Sequence, residues 1–380
     1  MDANAAVNKA ESLVDLIAEC AGAGEHDRQV PQEVVDAIAA EGLFEIVVPT
    51  SLGGHGLGLE PLAEVTRTLG QGCPATAWTM SFLMMHAWLL SKFPEEGHAE
   101  LFADTAAPFA PAPLAPTGTS RPVEGGYMVS GRWEWATGSA HADWLMANTI
   151  VEGSEFELRF VVLPMSEVTM DDVWFTSGMR ATRSNTAVVE ERFVPEHRTI
   201  QASDMLNSTT TIEGDGLAGL PVMSVLALVA AAPALGGAEG AAEEYRTRLR
   251  DRVLAYSLGD KAAEQPAAQV RIATVDDLVR TAAARWRQAM APLTSGHDIG
   301  EAERVDARLA AASVVKMSRQ AVSTACEGAG ASVYFDTHPL QRIQRDLETL
   351  KGHVIFDWDR TAELAGRHRL GLDLRPTDMV

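Results

Sequence analysis

The hydrophobic pattern changes period twice along the chain, and nothing else in the sequence constrains the fold as much. From 4 to 22 and from 31 to 43, apolar residues recur at helical spacing, and Pro31 stands where a helix can begin without losing a hydrogen bond. GLFEIVVPTSLGGHGLG (42–58) breaks that pattern with Pro49 and the four glycines after it, the mark of a loop. Helices are expected again at 60–70 and 74–93, and the second, PATAWTMSFLMMHAWLLSKF, is apolar nearly all round and hence central. After Pro108 the proline-rich PFAPAPLAPTG leads into short β-branched and aromatic runs separated by Gly125-Gly126 and further glycines and prolines, an all-β block over about 111–200. Helical spacing returns beyond 215 in long alanine-rich segments at 221–258, 266–293, 301–327 and 340–365, which read as a four-helix bundle with apolar surface to spare for self-association. The expected organisation is α+β: an N-terminal helical domain (1–110), a middle β domain (111–212) and a C-terminal helical bundle (213–380).

Composition narrows the partners. A net charge of -21 over 380 residues repels phosphate backbones, and no run of lysine and arginine interleaved with aromatics offsets it, so nucleic acid is not an expected ligand. Cys20, Cys73 and Cys326 are too few and too scattered for a disulfide framework or a metal site; a reducing cytoplasm is expected, with no metal. The N-terminal segment carries acidic residues within its apolar pattern and reads as an amphipathic helix, not a signal peptide. LPVMSVLALVAAAPALGGA (220–238) approaches membrane-span length, yet its prolines, glycines and alanine bias point to a helix buried among helices; no membrane association is expected.

Three constellations are candidates for chemistry. In WEWATGSAHADW (133–144), Thr137, Gly138 and Ser139 end a strand-like run; a hydroxyl beside a glycine there can present its oxygen and nearby backbone N–H groups to a flat heteroaromatic ligand, and it equally suits a turn that satisfies itself. His86 lies among Phe82, Met84, Met85, Trp88 and Leu89, where taken alone a neutral imidazole with one partner is more often a core residue than a catalyst. In HPLQRIQRD (338–346), Arg342 and Arg345 are spaced to clamp a phosphate or to pair with carboxylates. If one unbroken helix runs through RDLETLKGHVIFDWDR (345–360), His353 shares a face with Arg342 and Asp346; Gly352 is the place where such a helix would break.

Together GLFEIVVPTSLGGHGLG (42–58), GRWEWATGSAHADW (131–144), SGMRATRSNTAVVEERFVP (177–195) and HPLQRIQRD (338–346) resemble the acyl-CoA dehydrogenase superfamily over nearly the whole chain. The resemblance implies an N-terminal helical domain, a β-barrel-like middle domain and a C-terminal four-helix bundle, a homotetramer, and a flavin lodged between the β domain and the bundles. Dehydrogenases of this family carry a glutamate base in a Tyr-Glu-Gly-Thr motif after the Arg-Asp pair, where this chain has His353-Val354-Ile355-Phe356. A second subgroup places its glutamate in the first bundle helix, where VMSVLALVAAAPALGGAEG (222–240) holds no carboxylate before Glu239.

A histidine at 353 instead resembles the two-component flavin-dependent monooxygenases of this fold, with His86 matching their histidine in the long N-terminal helix and Thr137 a hydroxyl near flavin N5. What this implies is a hydroxylase that takes reduced FMN or FAD from a separate NAD(P)H-dependent flavin reductase and, with O2, oxygenates a small molecule through a C4a-hydroperoxyflavin. His353, His86 and Thr137 are then the catalytic candidates, His353 as the base toward a phenol with an imidazole pKa near its usual roughly 6.5. Trp135, Thr137, Gly138, Ser139, Arg342 and Arg345 are the cofactor-binding candidates. The apolar helix around His86 suits an aromatic or polycyclic natural-product intermediate, with N-oxygenation of an amine or a dehydrogenase/oxidase reaction as alternatives.

Overall fold

The structure, a computed structural model, describes residues 1–207, 212–254, 259–296, 298–375, 377–378 and 380. The N-terminal helices are α1 (Ala3–Asp27), α2 (Gln32–Ala40), α3 (Leu59–Gly72), α4 (Pro74–Leu90) and α5 (Glu95–Leu101). Asp2 caps α1 by accepting from the Ala5 amide at 2.8 Å, and Pro74 opens α4, where its missing N–H costs nothing. Helix α4 has no polar face, and α3, the bundle and the 3₁₀ turn Arg180–Thr182 all pack around it.

The middle of the chain forms β1 (Gly118–Val123), β2 (Gly126–Ala136), β3 (Trp144–Val151), β4 (Leu158–Pro164), β5 (Thr169–Asp171), β6 (Asn185–Pro195) and β7 (Thr199–Gln201), followed by α6 (Ala202–Asn207). They make one mixed sheet in the order β5-β6-β2-β1-β3-β4-β7, with β1 and β3 parallel. The sheet closes over Trp133, whose indole N–H donates to the Asn148 carbonyl at 2.7 Å. Gly118 and Gly131 flank that ring so tightly that a Cβ on either would fall 2.1 or 2.5 Å from it.

The C-terminal helices are α7 (Val222–Asp251), α8 (Pro266–Thr294), α9 (Glu301–Ala329), α10 (Pro339–Leu350) and α11 (Trp358–Arg369). Residues 255–258, to which the pattern extended the first bundle helix, lie outside the described residues. Helix α7 is long and apolar enough to cross a membrane, but 89% of its most apolar window is buried inside the protein, so it is a core helix. The expected fourth segment, 340–365, is broken. Helix α10 ends at Leu350, a turn carries Gly352, Val354–Phe356 form a 3₁₀ turn, and α11 starts at Trp358 with Asp357 accepting from the Arg360 amide. Two local caps outcompete one continuous helix, since His353 and Asp357 each satisfy amides that a helix start leaves open. His353 therefore does not continue the helical face of Arg342 and Asp346.

Helices α3 and α7 approach through glycines. A Cβ at Gly236 would lie 2.0 Å from the Arg67 carbonyl oxygen, and one at Gly240 2.3 Å from that of Gln71. Backbone cannot yield as a side-chain end can, so Gly236→Ala is expected to destabilise the protein by about 2–3 kcal/mol in urea unfolding. An unchanged midpoint would contradict this packing.

Candidate functional site

Sixteen of the seventeen residues of α4 are buried; Phe82 alone is half-buried. Residues 78, 82 and 86 lie one turn apart on one stripe of this helix, and their rings form a row that His353 completes. Ring centres are 5.2 Å apart for His353 and Trp78, 4.3 Å for Trp78 and Phe82, and 5.3 Å for Phe82 and His86. Phe356 backs His353 at 5.7 Å. The structure thus brings together two histidines from opposite ends of the chain, separated by two aromatic rings, beside the one opening in an otherwise sealed helix.

Both imidazoles are neutral at cellular pH. Burial pushes each down to about 4, against a weak opposing effect of the Ala110 carbonyl at His86 and a reinforcing one of Arg308 at His353. This corrects the expectation of a base near the ordinary histidine value: the two rings are weak bases that stay uncharged.

Their partners assign different tautomers. Nδ1 of His86 is 2.6 Å from the Ala110 carbonyl, which can only accept, so Nδ1 carries the proton and Nε2 is left as an acceptor with no protein partner among the described residues. Nδ1 of His353 accepts from the Ile355 amide at a long 3.4 Å, which places its proton on Nε2.

The second half of the site is the end of β2. Trp133 pairs with Ala187 and Ala136 with Asn185, so Glu134 and Trp135 stand opposite a single residue in a bulge. Trp135 is held there at φ 63, a costly conformation for an aromatic residue, and its ring is 60% exposed. Thr137 follows, buried, with its hydroxyl 2.9 Å from that of Ser184. Gly138, at φ 78, rests on α4 so closely that a Cβ would lie 3.2 Å from Leu83 and 3.3 Å from Thr79. Helix α4 therefore carries the strand end on one stripe and the histidine row on the next.

Not every group expected to face a ligand does so. The amides of Thr137, Gly138 and Ser139 are spent on the carbonyls of Trp135, Thr182 and Ala136, and the Ser139 hydroxyl donates to the Arg183 carbonyl at 3.0 Å. Gly138 and Ser139 shape the turn; the exposed Trp135 ring, with the buried Thr137 hydroxyl beside it, is what the turn leaves for a ligand. A flavin ring system fits that pair, which joins a flat apolar surface to a single polar group.

Arg342 and Arg345 lie elsewhere, in a cleft of about 980 Å³ between α1, α7 and α10 that Glu19, Glu25 and Glu244 share. Arg345 donates to Gln341 at 2.7 Å, to the Ser177 carbonyl at 2.6 Å and to Glu25. Its guanidinium is thus occupied in joining α10 to α1 and to the 177 loop, while Arg180 and Arg342 line the same cleft. Next to it, Asp346 accepts from the Met179 amide at 2.5 Å, and burial raises its carboxyl to about 7. Glu239, the first carboxylate of α7, is held by Arg67 at 2.5 Å and Gln71 at 2.9 Å, away from the histidine row. Sequence reasoning missed Ser184, Thr182 and the opening at Phe82; the only signal for the hydroxyls was their place in the matching segment 177–195.

Comparison with known proteins gives the family. Residues 9–110 match the model of the acyl-CoA dehydrogenase N-terminal domain, and residues 228–358 that of the C-terminal domain. A pigment production hydroxylase of Rhodococcus sp. (strain ATCC 21145) is 30% identical over 96% of this chain and 96% of its own length. The flavin-dependent monooxygenase oxygenase subunit HsaA of Mycobacterium tuberculosis is 30% identical over 98% of this chain and 96% of its own. XiaF from Streptomyces sp., solved with FADH2 and glycerol, superposes with a TM-score of 0.91 at 25% identity, covering 100% of this chain and 98% of that one.

The two desolvated imidazoles, His86 buried and His353 half-buried, link stability to pH. Between the ordinary histidine value of roughly 6.5 and the folded value of about 4, the unfolded chain binds protons that folded His86 and His353 do not, so their contribution is complete above that window and lost as pH falls through it. Asp346, raised by burial, acts in the opposite sense between the ordinary carboxylate range and about 7. A comparison of variants isolates the histidine. His86→Gln is expected to gain on the wild type by up to about 3 kcal/mol as pH drops from 6.5 to 4 in parallel denaturant titrations; parallel curves would show His86 to be protonated in the fold.

Proposed function

The chain belongs to the acyl-CoA dehydrogenase superfamily, and from that premise we infer that it is the oxygenase component of a two-component flavin-dependent monooxygenase, hydroxylating an aromatic or polycyclic small molecule. The observation that carries this reading is the row His353–Trp78–Phe82–His86, with two neutral imidazoles and no free carboxylate where a dehydrogenase needs its base. The reduced FMN or FAD comes from a separate NAD(P)H-dependent reductase. When bound, the flavin supplies the electrons that activate O2 and delivers one oxygen atom for transfer.

The chain's own residues bind, orient and dehydrate. Trp135 and Thr137 would hold the flavin, the ring by its exposed face and the hydroxyl as the polar contact near N5, with Gly138 and Ser139 holding the turn that presents them. Arg345 serves the joint between α10 and α1, and Arg342, in the same cleft, is the arginine left to reach the cofactor. Trp78 and Phe82 form an apolar floor for the aromatic substrate and keep water from the reacting carbon. His86, with Nε2 bare, accepts a hydrogen bond from the substrate hydroxyl and draws electron density toward the ring; His353 donates from Nε2 to a substrate oxygen. With pKa values near 4 the pair acts by orientation and polarisation more than by full proton abstraction.

A homotetramer in a reducing cytoplasm completes the proposal, supported by the exposed rings of Tyr334 and Phe335 and by three free thiols.

The test supplies NADH, a flavin reductase, O2 and a panel of phenols, and follows oxygen uptake with product. Coupled hydroxylation is expected, with kcat falling about 10- to 100-fold in His86→Ala and in His353→Ala. Reduction of bound flavin by an acyl thioester in the absence of any reductase would move the assignment to a dehydrogenase.

A further inference from the structure

Three buried hydroxyls run in line behind the β2 turn. Thr182 Oγ1 is 2.9 Å from the Met179 carbonyl oxygen, 2.7 Å separates Thr182 Oγ1 from Ser184 Oγ, and 2.9 Å separates Ser184 Oγ from Thr137 Oγ1. All three residues are buried, so water does not compete for these contacts. The carbonyl end is anchored: Met179 sits at φ 53 with its amide on Asp346, and its carbonyl also receives the Trp174 indole N–H at 2.9 Å.

The direction of the chain follows from counting protons. There are three contacts and three hydroxyl protons. A carbonyl has no proton to give, so the contact at Met179 takes that of Thr182. The Thr182–Ser184 contact must then be filled by the Ser184 proton, and the Ser184–Thr137 contact by that of Thr137. Any other order leaves two oxygens facing each other through lone pairs at 2.7 or 2.9 Å. Thr137 therefore has no proton left for a ligand and presents only lone pairs.

We propose that Thr182 and Ser184 are positioning residues which polarise Thr137 as a pure acceptor, so that the site selects the flavin that carries a proton at N5, the reduced form, over the oxidised form. This rests on the reading of the β2 turn as a flavin site. Reduced flavin would have an N5–H to donate to the Thr137 oxygen, whereas oxidised flavin would bring only an N5 lone pair to another lone pair. The device gives an oxygenase component a reason, at one atom, to take reduced flavin from a reductase and to release it once oxidised.

The test measures dissociation constants of oxidised and anaerobically photoreduced FMN and FAD for the full chain and three variants, by calorimetry and flavin fluorescence. In Ser184→Ala and in the isosteric Thr182→Val, the Thr137 proton is released to donate, and the ratio of oxidised to reduced dissociation constants is expected to fall about five- to tenfold. A tenfold fall corresponds to a midpoint potential of the bound flavin about 30 mV lower. Thr182→Ser keeps the hydroxyl at the carbonyl and is expected to keep the ratio. Equal weakening of both redox forms in Ser184→Ala and Thr182→Val, or an unchanged ratio, overturns the proposal while leaving the monooxygenase reading intact. Failure of the wild-type chain to bind flavin in either form overturns both.

Discussion

Helix α4 has to be covered on all sides, and that requirement organises the molecule. Its apolar side chains leave no face for water, so α3, α7, α10 and the Arg180–Thr182 turn each contribute a wall. Burial on this scale is worth about 1.5–3 kcal/mol per large side chain, which accounts for the insertion of a whole helix between segments drawn from every part of the chain. The site is a by-product of that coverage. Where the walls do not meet completely, at Phe82, a half-open aromatic surface remains between two imidazoles.

Low polarity around α4 then dictates the electrostatics. Neither histidine finds a carboxylate, so each sheds its charge; the buried Asp346 is raised for the same reason, because desolvation outweighs the amide bond it receives. One buried ion pair enters this region, Lys92 with Asp215, which also accepts from the Trp88 indole N–H; the polar groups behind the β2 turn instead form a directed chain. Asp346 to Met179, Met179 to Thr182, Ser184 and Thr137 is one such chain, and it ties the bundle to the sheet edge through hydrogen bonds alone.

The arginine pair illustrates how a motif and its use can separate. Arg345 and Asp346 are adjacent in sequence yet act on different partners, one on Glu25 and the Ser177 carbonyl, the other on the Met179 amide. Their joint effect is to dock α10 against α1 and the loop leading into β6.

Much of this was legible in the sequence because periodicity is a local property. The helical, β and helical blocks, the central place of the segment from Pro74, the buried nature of the apolar run at 220–238 and the turn at Thr137-Gly138-Ser139 follow from spacing and from the glycines and prolines that punctuate it. The replacement of a carboxylate by His353 was equally plain. The break after Leu350 was only half visible, since Gly352 permits it but the caps of His353 and Asp357 decide it. Tertiary structure alone settled the rest: that Phe82 is the open residue of α4, that the amides of the β2 turn are already spent, that both imidazoles fall to about 4, and that Ser184 and Thr182 stand in line behind Thr137. The physical reason is that burial and hydrogen-bond direction are properties of what lies across space from a residue, and residues 86, 137, 184 and 353 become neighbours of the same helix and turn only once the sheet and bundle have closed around α4.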